Sequence, residues 1–324
     1  MNILYLIGNG FDINLGMKTK YSDFYEFYCG AKSDGELIID LKNNIGKGIH
    51  NWADLEIALG RYTEKLKSQE EFDIVYEDIG EKLSQYLEKE AEEYDISKVD
   101  KNVFYSHIVY PEKFLPQRDR NKIKSLIKDK WGAQNWFVQL LTFNYTRTIE
   151  KIVGEFRQNY KIGENHSGAF LLSRIEHIHG YTDDSRVLGV NDISQISNKS
   201  FHQNEDIVEA LVKPNCNQAL RHTIDEQCID LVLNANIICI FGSSIGDTDR
   251  LWWDLVGECL KRDCILIIYD VCEKIDPSTR YKMNRKEREL KSRFLSKTSL
   301  KEEEKEAVKD NIFIALNTGM FCLL

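Results

Sequence analysis

Six short apolar runs, most of them ending in polar or glycine residues, constrain the fold of this chain more than any other feature of its sequence. Their largely unbroken apolar character is typical of parallel strands that are buried on both faces of a sheet. The runs are residues 3–7, 137–143, 175–178, 237–241, 264–269 and 312–316.

Segments with a helical repeat lie between these runs. Residues 148–157 and 249–262 each place their apolar side chains on one helical face. The alternation of strand and helix predicts an α/β fold with a doubly wound, Rossmann-like and mainly parallel sheet. Ligands of such sheets bind beyond the carboxyl ends of the strands. The polar and glycine residues that follow the runs are therefore the candidates for a binding site.

Residues 23–130 have helical periods and almost no strand pattern. Apolar side chains recur on single helical faces there, for example Val75, Ile79, Leu83 and Leu87. We therefore predict a helical insertion after the first strand, with a Rossmann-like nucleotide-binding core formed by residues 1–22 and 131–324. Residues 280–309 are densely charged, which is typical of a solvated helix pair.

The charge and the run lengths of the chain argue against two classes of partner. Its formal net charge is −9 at pH 7, whereas general nucleic-acid binders present a positive field to phosphates. No apolar run approaches the roughly 20 residues that span a bilayer. We therefore expect neither nucleic acid nor a membrane as a partner. A nucleotide would then need a site that is locally positive or rich in amides.

Residues 1–7 are apolar, lack a basic start and lead directly into Gly8, so we expect a strand there and not a signal peptide. The eight cysteines form no C-x-x-C pair. A four-cysteine zinc site is therefore not expected. Together these features make a reduced, cytoplasmic setting the simplest interpretation.

The first run ends in Gly8-Asn9-Gly10-Phe11-Asp12. Glycine lets backbone amides approach a phosphate without a Cβ in the way. The full dinucleotide fingerprint needs a third glycine at position 13, which is Ile13 here. The loop is therefore not the common dehydrogenase loop, and a tight turn between strand and helix is the alternative interpretation.

Two histidines close the third run. His177 and His179 are two residues apart, so their side chains share a face of an extended strand. Such a pair can bind a metal, but no obvious carboxylate or cysteine completes the set, and we expect no metal. We predict that His177 packs or hydrogen-bonds in the core. His179, before Gly180, is the candidate general base.

The second and fourth runs end in further candidates. Asn144 can cap the next helix, or it can hold a ribose hydroxyl or orient a water. The loop after the fourth run offers Gly242, Ser243 and Asp247 to a second part of a nucleotide. Its alternative is a turn with Asp247 or Thr248 as helix N-cap. Glu56 and Asp54 of the insertion can also approach the site, although we expect one of these two acids to be structural or at the surface.

Several of these blocks together resemble the AbiH family of bacterial phage abortive-infection proteins. The opening motif is the most specific of them, and the resemblance covers most of the chain. In order, the blocks are Tyr5-Leu6-Ile7-Gly8-Asn9-Gly10-Phe11-Asp12 with Gly16, Lys18-Thr19 and Tyr21-Ser22-Asp23-Phe24, then Trp52-Ala53-Asp54-Leu55-Glu56, Leu141-Thr142-Phe143-Asn144-Tyr145-Thr146, Ile178-His179-Gly180 and Phe241-Gly242-Ser243-Ser244-Ile245-Gly246-Asp247.

The same blocks are more distantly similar to the sirtuin-like domains of antiphage NAD hydrolases. That similarity implies a glycine loop on the pyrophosphate, an Asn on the nicotinamide ribose, a His as base and a Gly-Ser loop on the adenosine half. These roles would fall on Gly8 and Gly10, on Asn144, on His179, and on Gly242 with Ser243. The chain departs from sirtuins in three respects: Met17-Lys18-Thr19-Lys20 replaces an arginine loop, Phe143 replaces a Gln, and the zinc module is absent.

The resemblance implies an antiphage effector that binds NAD or a related nucleotide and hydrolyses the nicotinamide–ribose bond, with a phage-derived trigger or a partner defence protein and a homo-oligomeric state. Two alternatives stay open. One is a non-catalytic module that senses a nucleotide. The other is a metal-dependent nuclease or nucleotide-processing effector, for which Asp12, Asp247 and Asp249 would have to converge.

Overall fold

The computed structural model describes residues 1–32, 35–52, 54–132, 134–166, 168–221, 223–273 and 279–324. These residues form a mixed α/β fold around one seven-stranded, mostly parallel sheet. The strands are β1 (Asn2–Ile7), β2 (Trp136–Thr142), β3 (Tyr160–Asn165), β4 (Gly168–His177), β5 (Ile237–Phe241), β6 (Ile265–Asp270) and β7 (Ile312–Leu316).

Fourteen α-helices surround the sheet in the described part of the chain. They are α1 (Gly10–Asn14), α2 (Tyr21–Gly30), α3 (Glu36–Lys47), α4 (Leu55–Tyr62), α5 (Gln69–Glu93), α6 (Lys101–Val109), α7 (Gln117–Trp131), α8 (Thr148–Val153), α9 (Glu205–Leu211), α10 (Lys213–Ala219), α11 (Ile224–Leu233), α12 (Arg250–Leu260), α13 (Arg280–Ser296) and α14 (Glu302–Val308). None of the described helices is long and apolar enough to cross a bilayer.

The strand order is β3-β4-β2-β1-β5-β6-β7, and every neighbouring pair except β3–β4 is parallel. The register aligns the carboxyl ends of β1, β2, β4 and β5. Ile7 of β1 pairs with Thr142 of β2 and with Phe241 of β5, and Thr142 also pairs with His177 of β4. The residues that follow these strands therefore leave the sheet side by side at one edge.

Side chains of the central strand alternate between two hydrophobic layers. Ile3, Tyr5 and Ile7 belong to the layer under α6, α7 and α8. Leu4 and Leu6 belong to the opposite layer, under α11, α12 and α13. Helices therefore cover both faces of β1, which explains why its sequence is apolar throughout.

Most predicted strands are confirmed within one residue at each end, and those at 237–241 and 312–316 match completely. The prediction was wrong in two places. Strand β4 begins at Gly168 and not at Ile175. The antiparallel strand β3 was not predicted at all, because its largely exposed sequence lacks an apolar run.

The chain between β1 and β2 forms only helical and irregular structure in its described residues. Helices α2 to α5 share a hydrophobic cluster with residues 188–212, whereas α6 and α7 pack directly on the sheet. The predicted apolar face of α5 is buried in that cluster, at Val75, Ile79, Leu83 and Leu87. Residues 280–309 contain the two helices α13 and α14, but Leu290 and Phe294 are buried in the core, so the pair is not fully solvated.

Candidate functional site

A cavity of about 550 Å³ opens at the carboxyl ends of β1, β2, β4 and β5. Its volume falls within the roughly 300–1,000 Å³ that is usual for cofactor and small-molecule sites. Helices α2, α4 and α5, which lie between β1 and β2 in the sequence, contribute Tyr21, Glu56, Leu83 and Leu87 to its wall. Both the sheet edge and these helices therefore shape the cavity.

The structure brings together the predicted site residues at this cavity with two exceptions. Phe11 is fully buried in an aromatic cluster, with its ring centroid 5.1 Å from that of Phe321. Asp247 accepts a hydrogen bond from Lys297 Nζ at 2.7 Å and does not line the cavity. The predicted residues that do line it are Gly8, Asn9, Gly10, Asp12, Asn144, His179, Gly242 and Ser243.

The glycines of the first loop are required by contact with the loop after β5. The Gly8 amide donates to Phe241 O at 2.9 Å, and the Gly10 amide donates to Gly242 O at 2.8 Å. A Cβ on Gly10 would lie 2.5 Å from Gly242 Cα. These two amides are therefore engaged by protein and are not free for a phosphate, which corrects the reason that the sequence suggested for the glycines.

Asn9 fastens the first loop to the segment that follows α1. Its Nδ2 donates to Thr19 O at 2.6 Å, and Thr19 Oγ1 donates to Asn9 Oδ1 at 2.6 Å. Both ends of the Asn9 amide are thus used within the protein. The arrangement fixes the chain next to Lys20 and Tyr21, which also line the cavity.

Asp12 and Asn144 form a polar floor with incomplete hydrogen bonding. Thr146 Oγ1 donates to Asp12 Oδ2, while Asp12 Oδ1 has no partner. Burial raises the pKa of Asp12 to about 6, although the hydrogen bond from Thr146 opposes this rise. The side-chain Oδ1 of Asn144 is also buried and unpartnered. Both side chains therefore have acceptor capacity to offer a ligand.

His177 contacts the backbone of Asn144 and helps to fix its position. Its Nδ1 lies 2.8 Å from the Asn144 backbone carbonyl, and its Nε2 lies 2.7 Å from Glu150 Oε1. The ring also packs on Tyr181, with 4.2 Å between the centroids. Both nitrogens are therefore engaged inside the protein, in agreement with the structural role predicted for His177.

His179 lies on the cavity wall, between the rings of Phe143 and Tyr145. Its buried Nε2 is 3.0 Å from Asp249 Oδ1, and the two form an ion pair when the ring carries a proton. A ring in this position can exchange a proton with a bound molecule while a carboxylate lies beside it.

A buried ion cluster lies behind His179. Lys213 Nζ is 2.7 Å from Asp249 Oδ1 and 2.8 Å from Glu56 Oε2. Burial acts to raise the pKa of both acids. The Glu56 pKa is raised, because burial outweighs the attraction to Lys213. For Asp249 the neighbouring Lys213 and His179 prevail, and they hold its pKa well below the usual range. Asp249 is therefore ionised beside His179.

The lining is not locally positive, which was one of the two properties expected of a nucleotide site, the other being a lining rich in amides. Among the described residues that form it, Lys20 is the only lysine or arginine, against the carboxyl groups of Asp12, Asp54, Glu56 and Asp249. Asp54 caps α4, accepting from the amides of Glu56 and Ile57. No group of three or more His, Cys, Asp or Glu side chains in the described ranges could hold a metal ion.

Comparison with known proteins places this site in a family. The family model described as bacteriophage abortive infection AbiH matches residues 4–270. The chain belongs to the AbiH family. Membership implies a role in abortive infection as a defence against bacteriophage. A search of curated proteins finds no match.

The AbiH match extends from β1 to the end of β6 and includes every residue of the cavity. The sequence blocks that carried the resemblance meet there. Two charged residues at this cavity were missed as such, namely Lys213, which lies behind the wall and was not considered, and Asp249, which was considered only as a metal ligand. The available signal for Lys213 was weak: it follows Ala210, Leu211 and Val212 and precedes a proline.

Proposed function

We propose that this AbiH chain is an abortive-infection effector that binds NAD or a related nucleotide in the cavity and hydrolyses its nicotinamide–ribose bond. One observation carries the proposal. Asp12 Oδ1 and Asn144 Oδ1 are both buried and unpartnered, and both residues line the cavity together with His179. An unsatisfied buried polar atom costs about 1–3 kcal/mol, so a polar ligand that pairs with these atoms gains affinity.

The fold supports a nucleotide in this position. Strand β1 lies between β2 and β5, and the chain changes direction along the sheet at this point. Ligands of open parallel sheets bind at such a switch point. We therefore retain the Rossmann-like, sirtuin-like interpretation, with a nucleotide-binding core of residues 1–22 and 131–324 and a helical insertion of residues 23–130.

The acidic lining suits the cationic end of NAD. The nicotinamide ring carries a positive charge, and the ribose becomes oxocarbenium-like as the C1–N bond breaks. Carboxylates such as Asp12 and Asp249 stabilise that charge. The pyrophosphate would lie toward Lys20 and the hydroxyls of Ser243 and Ser244, which also line the cavity.

The proposed reaction needs only a positioned water and a base. The water oxygen bonds to ribose C1, the C1–N bond breaks, and its electron pair leaves with neutral nicotinamide. His179 accepts the proton from the water or from a ribose hydroxyl and passes it to solvent. Asn144 positions the ribose and the water. A positioned general base contributes on the order of 10²–10⁴-fold.

The test is nicotinamide release from NAD by purified protein. We expect release by the wild type, and a fall of about 10²–10⁴-fold in His179→Ala. Asn144→Ala should also lose activity while keeping its fold, because the backbone contacts of Asn144 to Thr142 and His177 remain. His166→Ala, at an exposed turn, is the matched control. Absence of release from the wild type, with or without a phage trigger, would reject the hydrolase.

The second candidate is a non-catalytic sensor that changes partners when it is loaded with a nucleotide. The insertion forms part of the cavity wall, so occupancy and the position of the insertion are linked. A ligand-induced rise in melting temperature that survives His179→Ala, with no product formed, would favour the sensor. A phage-derived trigger or partner defence protein and a homo-oligomeric state are part of both proposals.

A metal-dependent nuclease is less well supported. It needs the carboxylates of Asp12, Asp247 and Asp249 to converge on a metal ion. Asp247 instead pairs with Lys297 outside the cavity, and Asp249 pairs with Lys213. Activity that a chelator abolishes would restore this alternative.

A further inference from the structure

We infer that Lys213 is a positioning residue of the proposed reaction, which holds Asp249 against His179 and connects both to Glu56 of the insertion. The inference rests on the proposed hydrolase. The four residues come from four separate segments: Glu56 from α4, Lys213 from the start of α10, Asp249 from the turn before α12, and His179 from the turn that follows β4. Lys213 is the residue that contacts both acids.

A single oxygen links the lysine to the base. Asp249 Oδ1 lies 2.7 Å from Lys213 Nζ and 3.0 Å from His179 Nε2. Whatever fixes that oxygen for the lysine also fixes its distance to the imidazole. An ion pair with a purely structural role would not have to share an atom with a residue of the cavity wall.

Because the cluster is buried, the loss of one of its charges affects the others. The side chains of Lys213 and Glu56 are 8% and 7% exposed. Removing one member of a buried ion pair leaves the other without compensation. Glu56 and Lys213 therefore depend on each other, and the insertion is tied to the core at the point where the base lies.

Two charges of the cluster act at His179. The Asp249 carboxylate lies 3.0 Å from His179 Nε2 and is ionised, because Lys213 and His179, against the opposing effect of burial, hold its pKa well below the usual range. Lys213 Nζ, 2.7 Å from the same oxygen, offsets part of that negative charge. Tyr145, whose ring lies near that of His179, stays neutral, because burial raises its pKa well above its usual value.

This arrangement predicts opposite effects of two substitutions. Lys213→Met removes a positive charge beside Asp249. The Asp249 carboxylate then acts on His179 alone, and the His179 pKa rises. Asp249→Asn removes the negative charge, and the His179 pKa falls. Both variants should lower kcat for nicotinamide release at pH 7 by roughly 10-fold or more, with KM changed by less than about threefold.

The experiment combines kinetics with NMR titration of ¹³C-labelled histidines, in which His179→Ala assigns the signal of His179. Lys297→Met is the matched control, because Lys297 pairs with Asp247 outside the cavity, two residues before Asp249. The control should leave kcat and the His179 titration unchanged. If Lys213→Met does not fold, Lys213→Gln, which removes the charge but keeps a hydrogen-bond donor toward Asp249 and Glu56, carries the test.

The outcomes separate the two proposals. Opposite shifts of the His179 titration midpoint, with the fall in kcat, support the positioning role. Opposite shifts in a wild type that releases no nicotinamide would show the contact of Lys213, Asp249 and His179 but reject the hydrolase. An unmoved midpoint in the folded variants means that Lys213 only stabilises the fold, and it overturns the inference even if kcat falls.

Discussion

Asp12 is a carboxyl group whose environment opposes its ionisation. Burial raises its pKa from 3.8 to about 6. The native state therefore holds the proton more tightly than the unfolded state, so stability from this group is complete below about pH 4 and is lost as the pH rises through 6. At ~1.4 kcal/mol per pKa unit, the loss is about 3 kcal/mol.

Asp12→Asn should remove this loss. The amide oxygen can still accept the hydrogen bond from Thr146, so we expect the variant to be more stable than the wild type above pH 7 and similar to it near pH 4. Urea unfolding at pH 4, 6 and 8 measures the difference. Asp247→Asn, at the same sheet edge but exposed, is the control. A difference between wild type and Asp12→Asn that does not vary with pH would contradict the raised pKa.

Individual residues also show which parts of the site could be predicted from the sequence. Asn144 and His179 were identifiable because they follow apolar runs, and parallel strands bring such ends together. Lys213 was not identifiable, because its partners Asp249 and Glu56 are 36 and 157 residues away in the sequence. A lysine is usually exposed, and only the tertiary arrangement makes this one buried.

At the scale of elements, the loops after β1 and β5 are packed backbone to backbone. A Cβ on Gly10 would meet Gly242 Cα at 2.5 Å and Gly242 O at 2.9 Å, and backbone atoms cannot rotate away. We expect Gly10→Ala to lower the free energy of unfolding by about 1–3 kcal/mol. Urea unfolding at pH 7 measures the loss.

Gly30→Ala is the matched control, because a Cβ there meets nothing within 4 Å. We expect a change within about 0.5 kcal/mol. Equal stability of the two variants would contradict the account of loop packing, and would return the glycines to the role of leaving room for a ligand.

A strand could be predicted from the sequence where it is buried on both faces, because such a strand is a run of apolar residues. The strand at 237–241 satisfies this condition and was predicted with its observed bounds. Strand β3 lies at the sheet edge and is largely exposed, so polar residues are expected there and no run appears. Its pairing with β4, and hence the early start of β4, could not be inferred from periodicity.

At the scale of the whole molecule, the insertion and the sheet meet at the cavity. Glu56 of α4 and Leu83 of α5 face the same space as Asn144 and His179. A bound molecule would contact both parts and would be released most easily when they separate. Ligand binding should therefore stabilise the insertion as well as the core.

We expect NAD at 100 times its Kd to add about 2.7 kcal/mol to the free energy of unfolding. At roughly 1.5 °C per kcal/mol for a chain of 324 residues, the melting temperature should rise by about 4 °C. Hydrogen exchange should slow in α4 and in the part of α5 around Leu83. It should not change in α7, which lies on the sheet away from the cavity. Asn144→Ala should reduce both effects, because the variant lacks an acceptor that the ligand would use. Equal protection of α4 and α7 would place the ligand elsewhere, and absence of any effect at millimolar NAD would reject NAD as the ligand of this cavity.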